Sequence, residues 1–211
     1  MHNKRIVTDW LVKKDNNYMQ KKHFKAMELN CLDEITIQNI REWRNQDFVR
    51  KNMFHQDIIG EEEHNRWIQR VKDDQRKHLF VFYLDDEPFG VEIYTYNEKD
   101  DYVEIGNYLT SIDYQAMGYG VIMSYFGLDI MYNVLGYERM ESEILEYNKR
   151  AGLNRFFNEK EEYREKAVSI KGKEYNIRVV RGTKNDWDSF EKAKLAKLVK
   201  RFVFDDYEVI K

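Results

Sequence analysis

The stretch Gln115-Ala116-Met117-Gly118-Tyr119-Gly120 holds the residue types and spacing best suited to chemistry in this chain. Of its ten glycines, only Gly118 and Gly120 lie two apart. Glycine lets the backbone come close to a ligand, and N–H groups at a helix N-terminus point at an anion. A long apolar run follows, so the pair reads as a phosphate cradle or as a plain turn into a helix. Other catalytic equipment is missing. No two of the five histidines are spaced as a helical metal pair, and the single cysteine, Cys31, completes no zinc site, so no metal is expected. There is no G-x-S-x-G elbow, and Val121 stands where a P-loop needs lysine. Nucleophilic catalysis therefore has no visible apparatus.

The surrounding elements must place that loop. Ile35, Ile37, Ile40 and Trp43 are spaced as on a helix over 35–43. His64, Trp67, Ile68 and Val71 do the same over 61–72, where Glu61-Glu62-Glu63 complements the helix dipole. Three strands at 79–84, 90–96 and 102–109, joined by short polar turns, predict an antiparallel meander. A long apolar helix at about 118–134 follows, then a strand at 138–145 and a helix from about 149. Two strands near 163–170 and 174–181 come next, and an amphipathic helix near 187–201 precedes a short apolar tail. This order predicts a mixed α/β fold. The expected organisation is an N-terminal extension (1–23), one catalytic domain (24–182) and a C-terminal helical extension (183–211). The basic terminal helix suits packing on its own domain or contact with an anionic surface.

The loop and its surroundings resemble the GNAT acetyltransferases. Gln115-x-x-Gly118-x-Gly120 matches their Q/R-x-x-G-x-G/A signature, and it follows the strand Val103-Glu-Ile-Gly-Asn-Tyr-Leu109 as in that family. Downstream and in register, Glu143-Ile-Leu-Glu-Tyr-Asn148 is similar to the family's next strand and pantetheine-contacting asparagine. Glu161-Glu-Tyr-Arg164 is similar to its later turn, and the likeness covers about residues 25–182. The resemblance implies a mostly antiparallel sheet splayed into an acetyl-coenzyme A cleft, flanked by helices. It implies cofactor contacts from Leu109, Thr110, Gln115, Ala116, Met117, Gly118, Tyr119, Gly120, Val121, Asn148 and Asn154. Direct transfer then requires a base for the amine, donors for the oxyanion and an acid for the thiolate. Backbone N–H groups of about Tyr108 to Thr110 would serve the oxyanion. Glu104 would be the base if it shares the cleft face with Gly106 and Tyr108, or else a surface carboxylate paired across the sheet, with Glu92 in reserve. Asn154 stands where many relatives carry an acidic tyrosine. An amide donates a hydrogen bond but delivers no proton, so Tyr147, Tyr163 or water would have to substitute.

For the acceptor, Trp43-Arg44-Asn45, Val49-Arg50-x-x-Met53 and Glu62-Glu63-His64-x-x-Trp67 are similar to the GNAT branch that acetylates the 4-amine of UDP-linked aminosugars. Carried over by position, Arg44, His64, Thr95 and Tyr108 would meet the nucleotide sugar. Arg44 in a structural salt bridge and His64 packed on Trp67 is the competing reading. A RimJ-like peptide or polyamine acetyltransferase, or a non-catalytic coenzyme A-binding module, are the rival functions. Net charge is −3, with 35% charged and 42% hydrophobic residues, which excludes an overall basic nucleic-acid binder. Neither a signal peptide nor an apolar run of about 18 residues is present, so a cytoplasmic protein with a small-molecule amine substrate is expected. A homodimer is compatible with the sequence.

Overall fold

The computed structural model describes residues 4–6, 22–149, 151, 161–200, 202 and 204–211. In chain order these form β1 (Lys4–Ile6), β2 (Lys22–Glu28), α1 (Glu34–Asn45), α2 (Asp47–Arg50), α3 (Glu61–Asp73), β3 (Lys77–Leu84), β4 (Glu87–Asn97) and β5 (Tyr102–Leu109). Then follow α4 (Tyr119–Asp129), β6 (Arg139–Leu145), β7 (Glu161–Ile170), β8 (Lys173–Thr183), α5 (Lys184–Asp186), α6 (Lys192–Val199) and β9 (Phe204–Ile210). The strands make one nine-stranded sheet in the order β1-β9-β2-β3-β4-β5-β6-β8-β7. Only β2–β9 and β5–β6 run parallel.

Local chemistry explains the connections. Asp85 and Asp86 both have positive φ and close a two-residue hairpin between β3 and β4, as Lys171 and Gly172 do between β7 and β8. Such turns match the right-handed twist of the strands they join. Asp33 caps α1, its carboxylate accepting from Thr36 N–H at 2.7 Å. Ile122, Met123, Tyr125, Phe126 and Leu128 of α4 are all buried. A helix apolar on every side must lie inside the protein, and α4 lies between the sheet and the C-terminal helices.

Alternation along the strands divides the core into two layers. Val91, Ile93 and Tyr108 face α1 and α3, joining Ile40, Ile68 and Val71. Tyr94, Val103, Ile105 and Leu109 face the other way, toward α4 and α6. Asp129, at the end of α4, ties the second layer to the C-terminus. It accepts from Lys192 Nζ at 2.6 Å, Asn133 Nδ2 at 2.7 Å, Trp187 Nε1 at 3.4 Å and the Tyr207 hydroxyl.

The expected meander, the two helices before it and the strands after it all form. The expected apolar tail is instead strand β9, inserted between β1 and β2. Its buried residues, Phe204, Tyr207 and Val209, do not alternate strictly. The register shifts where β9 leaves Lys22 for Phe24, which hides the two-residue period. Strand β2 is obscured likewise, because only Phe24 and Ala26 are buried, and Lys22 and Glu28 stand on their face of the strand. The terminal helix packs on its own domain through Trp187, Leu195 and Val199, while Phe190 and Leu198 point outward. It begins with a wider turn, Trp187–Glu191, before α6. The helix expected from about 149 lies mostly outside the described residues. Among the described residues no helix is long and apolar enough to cross a membrane.

Candidate active site

β5 and β6 pair only at Val103–Met140 and Glu104–Glu141. Ser142 Oγ donates to Ile105 O at 3.1 Å, and beyond that point the strands part. The gap opens into a cavity of about 660 Å³. Gly106 to Leu109 form one wall, Ser142 to Ile144 and Asn148 the other. The start of α4 closes one side, and Phe48, Val49, Asn52 and Met53 roof the opposite one.

The direction of the backbone groups on β5 follows from two hydrogen bonds. Thr110 N–H donates to Phe89 O at 3.0 Å, across the antiparallel pair with β4. Ile105 O, by contrast, accepts from β6. In an antiparallel ladder alternate residues turn their backbone groups to opposite neighbours. Tyr108 and Thr110 therefore turn theirs toward β4, and Asn107 and Leu109 turn theirs into the gap. This corrects the expectation for the oxyanion donors: of Tyr108, Leu109 and Thr110, only Leu109 presents its N–H. Thr110 is also spent elsewhere, since its Oγ1 donates to Pro88 O at 2.7 Å and its carbonyl accepts from Gln46.

At the loop, Gly118 has φ +88°, a conformation open to glycine and costly to other residues. It caps α4 without any side-chain hydrogen bond. Gly118 O accepts from Val121 and Ile122 N–H, so the tip of the helix remains for an anion. A Cβ at Gly120 would meet nothing within 4 Å; it would project into space that the cavity uses. Gln115 and Val121 line the cavity as well. Met117 is exposed, and Tyr119 stacks on Tyr114 with centroids 4.5 Å apart. The backbone of Ala116 is in the turn before Gly118. Asn148 borders the far wall, its side chain accepting from Ala151 N–H at 3.3 Å. These residues fit a pyrophosphate at the helix tip and an extended arm along β5.

The acceptor-side candidates separate. Glu104 shares the α1 and α3 face with Tyr108, as the strand period requires, but stands at the closed base of the fork, opposite Glu141. Partial burial, then Glu143 and Glu141, push its carboxyl above the usual range. Glu141 is buried and paired with Arg181 at 2.8 Å. Glu143 is the only charged residue among the described residues lining the cavity. Sequence reasoning missed it, although its place two residues along the strand from Glu141 sets it on the same face. Glu92 points to the other face and is buried against α4. Thr95 pairs with Glu104 and does not line the cavity.

Tyr108 lines the cavity, its hydroxyl donating to Ile40 O at 3.3 Å, and burial raises its pKa. Arg44 lies beside it. Nη2 of Arg44 donates to His55 O at 2.8 Å, while the buried Nη1 has no partner among the described residues. Burial, ahead of the nearby charges, lowers the pKa of Arg44. Among the described residues no salt bridge holds it, against the competing expectation. His64 is 2% exposed, its Nε2 lies 2.9 Å from Ile37 O, and its ring sits 6.0 Å from that of Trp67. It joins α3 to α1 and does not reach the cavity, a correction to its expected contact with substrate. The Tyr147 hydroxyl donates to Lys51 O and accepts from Gln56. Asn154, and the side chain of Tyr163, lie outside the described residues.

Comparison with known proteins agrees with this geometry. The acetyltransferase (GNAT) family matches residues 37–159. The structure of Campylobacter jejuni N-acetyltransferase PseH with acetyl coenzyme A is 18% identical, with a TM-score of 0.54 over 76% of this chain and 99% of that one. Spermidine N-acetyltransferase from Vibrio cholerae, with coenzyme A and spermine, is 12% identical, with a TM-score of 0.66 over 80% and 99%. The aminoglycoside acetyltransferase AAC(6')-Ib, with ribostamycin and coenzyme A, is 11% identical at 0.59 over 81% and 98%. No curated protein matches the sequence. With its forked β5–β6 cleft and glycine-tipped α4, the chain belongs to the GNAT family and is an acetyl-CoA-dependent N-acetyltransferase.

Proposed function

We propose that the enzyme acetylates the primary amine of a nucleotide-linked aminosugar, of the UDP-4-amino-4,6-dideoxy type. The observation that carries this reading is Arg44 Nη1, a buried guanidinium donor without a partner among the described residues, next to the cavity-lining Tyr108. A buried donor left unpaired is costly, and a diphosphate would satisfy it with charge and fork geometry together. The similarity to PseH supports the same direction. The bound thioester supplies the acetyl group. The chain's own residues hold its phosphates at the tip of α4 and its arm along β5. Leu109 N–H, with Asn107 N–H beside it, faces the position where oxyanion charge would develop. Glu143 at the mouth, backed by Glu104, takes the amine proton directly or through water.

A second reading has its own observation. The one charged wall residue, Glu143, is acidic, with Glu104 behind it, and paired carboxylates suit a polycationic amine such as spermidine. Release of free thiol from acetyl-CoA, measured with a UDP-4-aminosugar, spermidine and an N-terminal peptide in parallel, decides between them. The aminosugar should turn over fastest. Arg44→Lys should raise its KM roughly tenfold or more, the cost of a charge-assisted contact, and leave that for acetyl-CoA unchanged. His64→Ala should lower the Tm without moving either constant. Preference for spermidine or the peptide would overturn the nucleotide-sugar assignment.

A further inference from the structure

Glu92 is a buried carboxylate that acyl transfer, as described so far, does not use. It sits mid-strand on β4, 2% exposed, on the face toward α4. Each element around it is apolar or uncharged. β3 places Phe80 opposite it. β4 contributes Tyr94, whose hydroxyl donates to Gly127 O at 2.9 Å and also lies within hydrogen-bonding reach of the Glu92 carboxyl. α4 contributes the bare backbone of Gly127, where a Cβ would come within 2.3 Å of Glu92 Oε1. β5 contributes Asn107, whose Nδ2 donates to Glu92 Oε2 at 3.2 Å. Among the described residues no cation is in contact with Glu92. A niche cut in a helix for a carboxylate that has hydrogen bonds but no cation opposes the ordinary rule that buried charge is paired.

The other end of that contact is the point of interest. Asn107 lines the cofactor cleft. An ionised carboxylate only accepts hydrogen bonds, so it holds the Asn107 NH₂ toward itself and leaves Oδ1 for the cleft. A protonated carboxyl can donate to Oδ1, and then the amide turns over and presents its NH₂. We propose that Glu92 is a positioning residue that fixes which end of the Asn107 amide faces the cleft, and hence whether that wall accepts or donates a hydrogen bond. The pantetheine arm carries amide N–H groups for which the accepting form is the complement. Burial pushes Glu92 up to about 7, so both forms lie within reach near neutrality. This inference rests on the cleft being the coenzyme A site.

Two measurements separate the inference from that reading. In the ligand-free protein labelled with ¹⁵N, the Asn107 side-chain amide should titrate with a midpoint near that of Glu92, and Glu92→Gln should abolish the titration. Calorimetry with coenzyme A should show wild type binding roughly three- to tenfold more tightly than Glu92→Gln at pH 8, the worth of one oriented hydrogen bond. Near pH 6 the gap should close. Comparing the two proteins at each pH cancels the ligand's own phosphate titration. If Glu92→Gln does not fold, Asn107→Leu should remove the same excess pH dependence of affinity. An Asn107 amide that does not titrate, or whose titration survives Glu92→Gln, overturns the inference. A titrating amide in a protein that binds no coenzyme A would instead overturn the reading of the cleft.

Discussion

In the proposed mechanism, two carboxylates with different surroundings divide the work that Glu104 was expected to do alone. Glu143 reaches the cavity, whereas Glu104 stands behind it, its pKa raised by burial and by its two acidic neighbours. A base tuned upward suits proton abstraction from an amine. Glu143 is the carboxylate that lines the cavity, so Glu143→Gln should lower kcat on the order of a hundredfold and leave calorimetric affinity for coenzyme A intact. Glu104→Gln should shift the acid limb of the pH–rate profile more than the plateau. Near-normal turnover in Glu143→Gln would return the role to Glu104 or water. Glu92 adds a stability signature. Its folded pKa of about 7 exceeds the ordinary carboxylate value of 4.5, so the folded chain holds a proton that the unfolded chain has released. That contribution is complete below about 4.5 and is lost as the pH rises through about 7. Glu92→Gln should accordingly gain in Tm over wild type between pH 5 and pH 8, by several degrees. An unchanged difference across that range would mean that Glu92 is not held neutral by the fold.

At the scale of elements, the cleft is made by strands that stop pairing and a helix that starts without a cap. The β5–β6 ladder ends after Glu104–Glu141, and Gly118 turns the chain through a left-handed conformation into α4. Because a Cβ at Gly120 meets no protein atom, Gly120→Val should fold normally and yet fill the space beside the helix tip. Affinity for coenzyme A should fall at least about tenfold, roughly 1.4 kcal/mol, with the Tm nearly unchanged. Unchanged affinity in that folded variant would displace the phosphate site from this loop. On the acceptor side, α1 and α3 are locked together by His64 and Ile37. The roof over the cavity is held by Arg44 on His55 O and by Arg50 on Gln56 O. Arg44 thus serves the roof with one nitrogen, and its other terminal nitrogen has no partner among the described residues.

At the scale of the molecule, the chain's two ends close the same sheet. β9 lies between β1 and β2, and Asp129 gathers Lys192, Trp187 and Tyr207 from the C-terminal segment onto the end of α4. The helix whose start borders the cleft is therefore anchored at its finish by the C-terminal segment. Asp129→Ala leaves a lysine, an indole and a phenol without their acceptor. It should cost on the order of 2 kcal/mol, lowering the Tm by roughly 5 °C. Deleting residues 204–211 should cost more, since Phe204, Tyr207 and Val209 are buried. Unaltered melting in the truncated protein would show the terminal strand to be an appendage.

The sequence by itself determined the fold family and pointed to the glycine loop at the edge of the cleft, because both depend on local patterns. Hydrophobic periodicity marks the meander and its helices, and a left-handed Gly118 with a side-chain-free Gly120 is a requirement legible in six residues. What it could not decide depends on which distant groups meet. Thr110 and Tyr108 lie next to Leu109 in sequence, yet only the ladder with β4 shows that their backbone N–H groups point away from the cleft. His64 matched a substrate motif until its burial against Ile37 became visible. Glu143 looked like any strand residue until the parting of β5 from β6 set it on the cavity wall. The terminal strand stayed hidden because a bulge breaks its period and its partners are some 180 residues away in sequence, at β2, and farther still, at β1. Local propensity is written along the chain, whereas backbone direction, burial and pairing are properties of the assembled sheet.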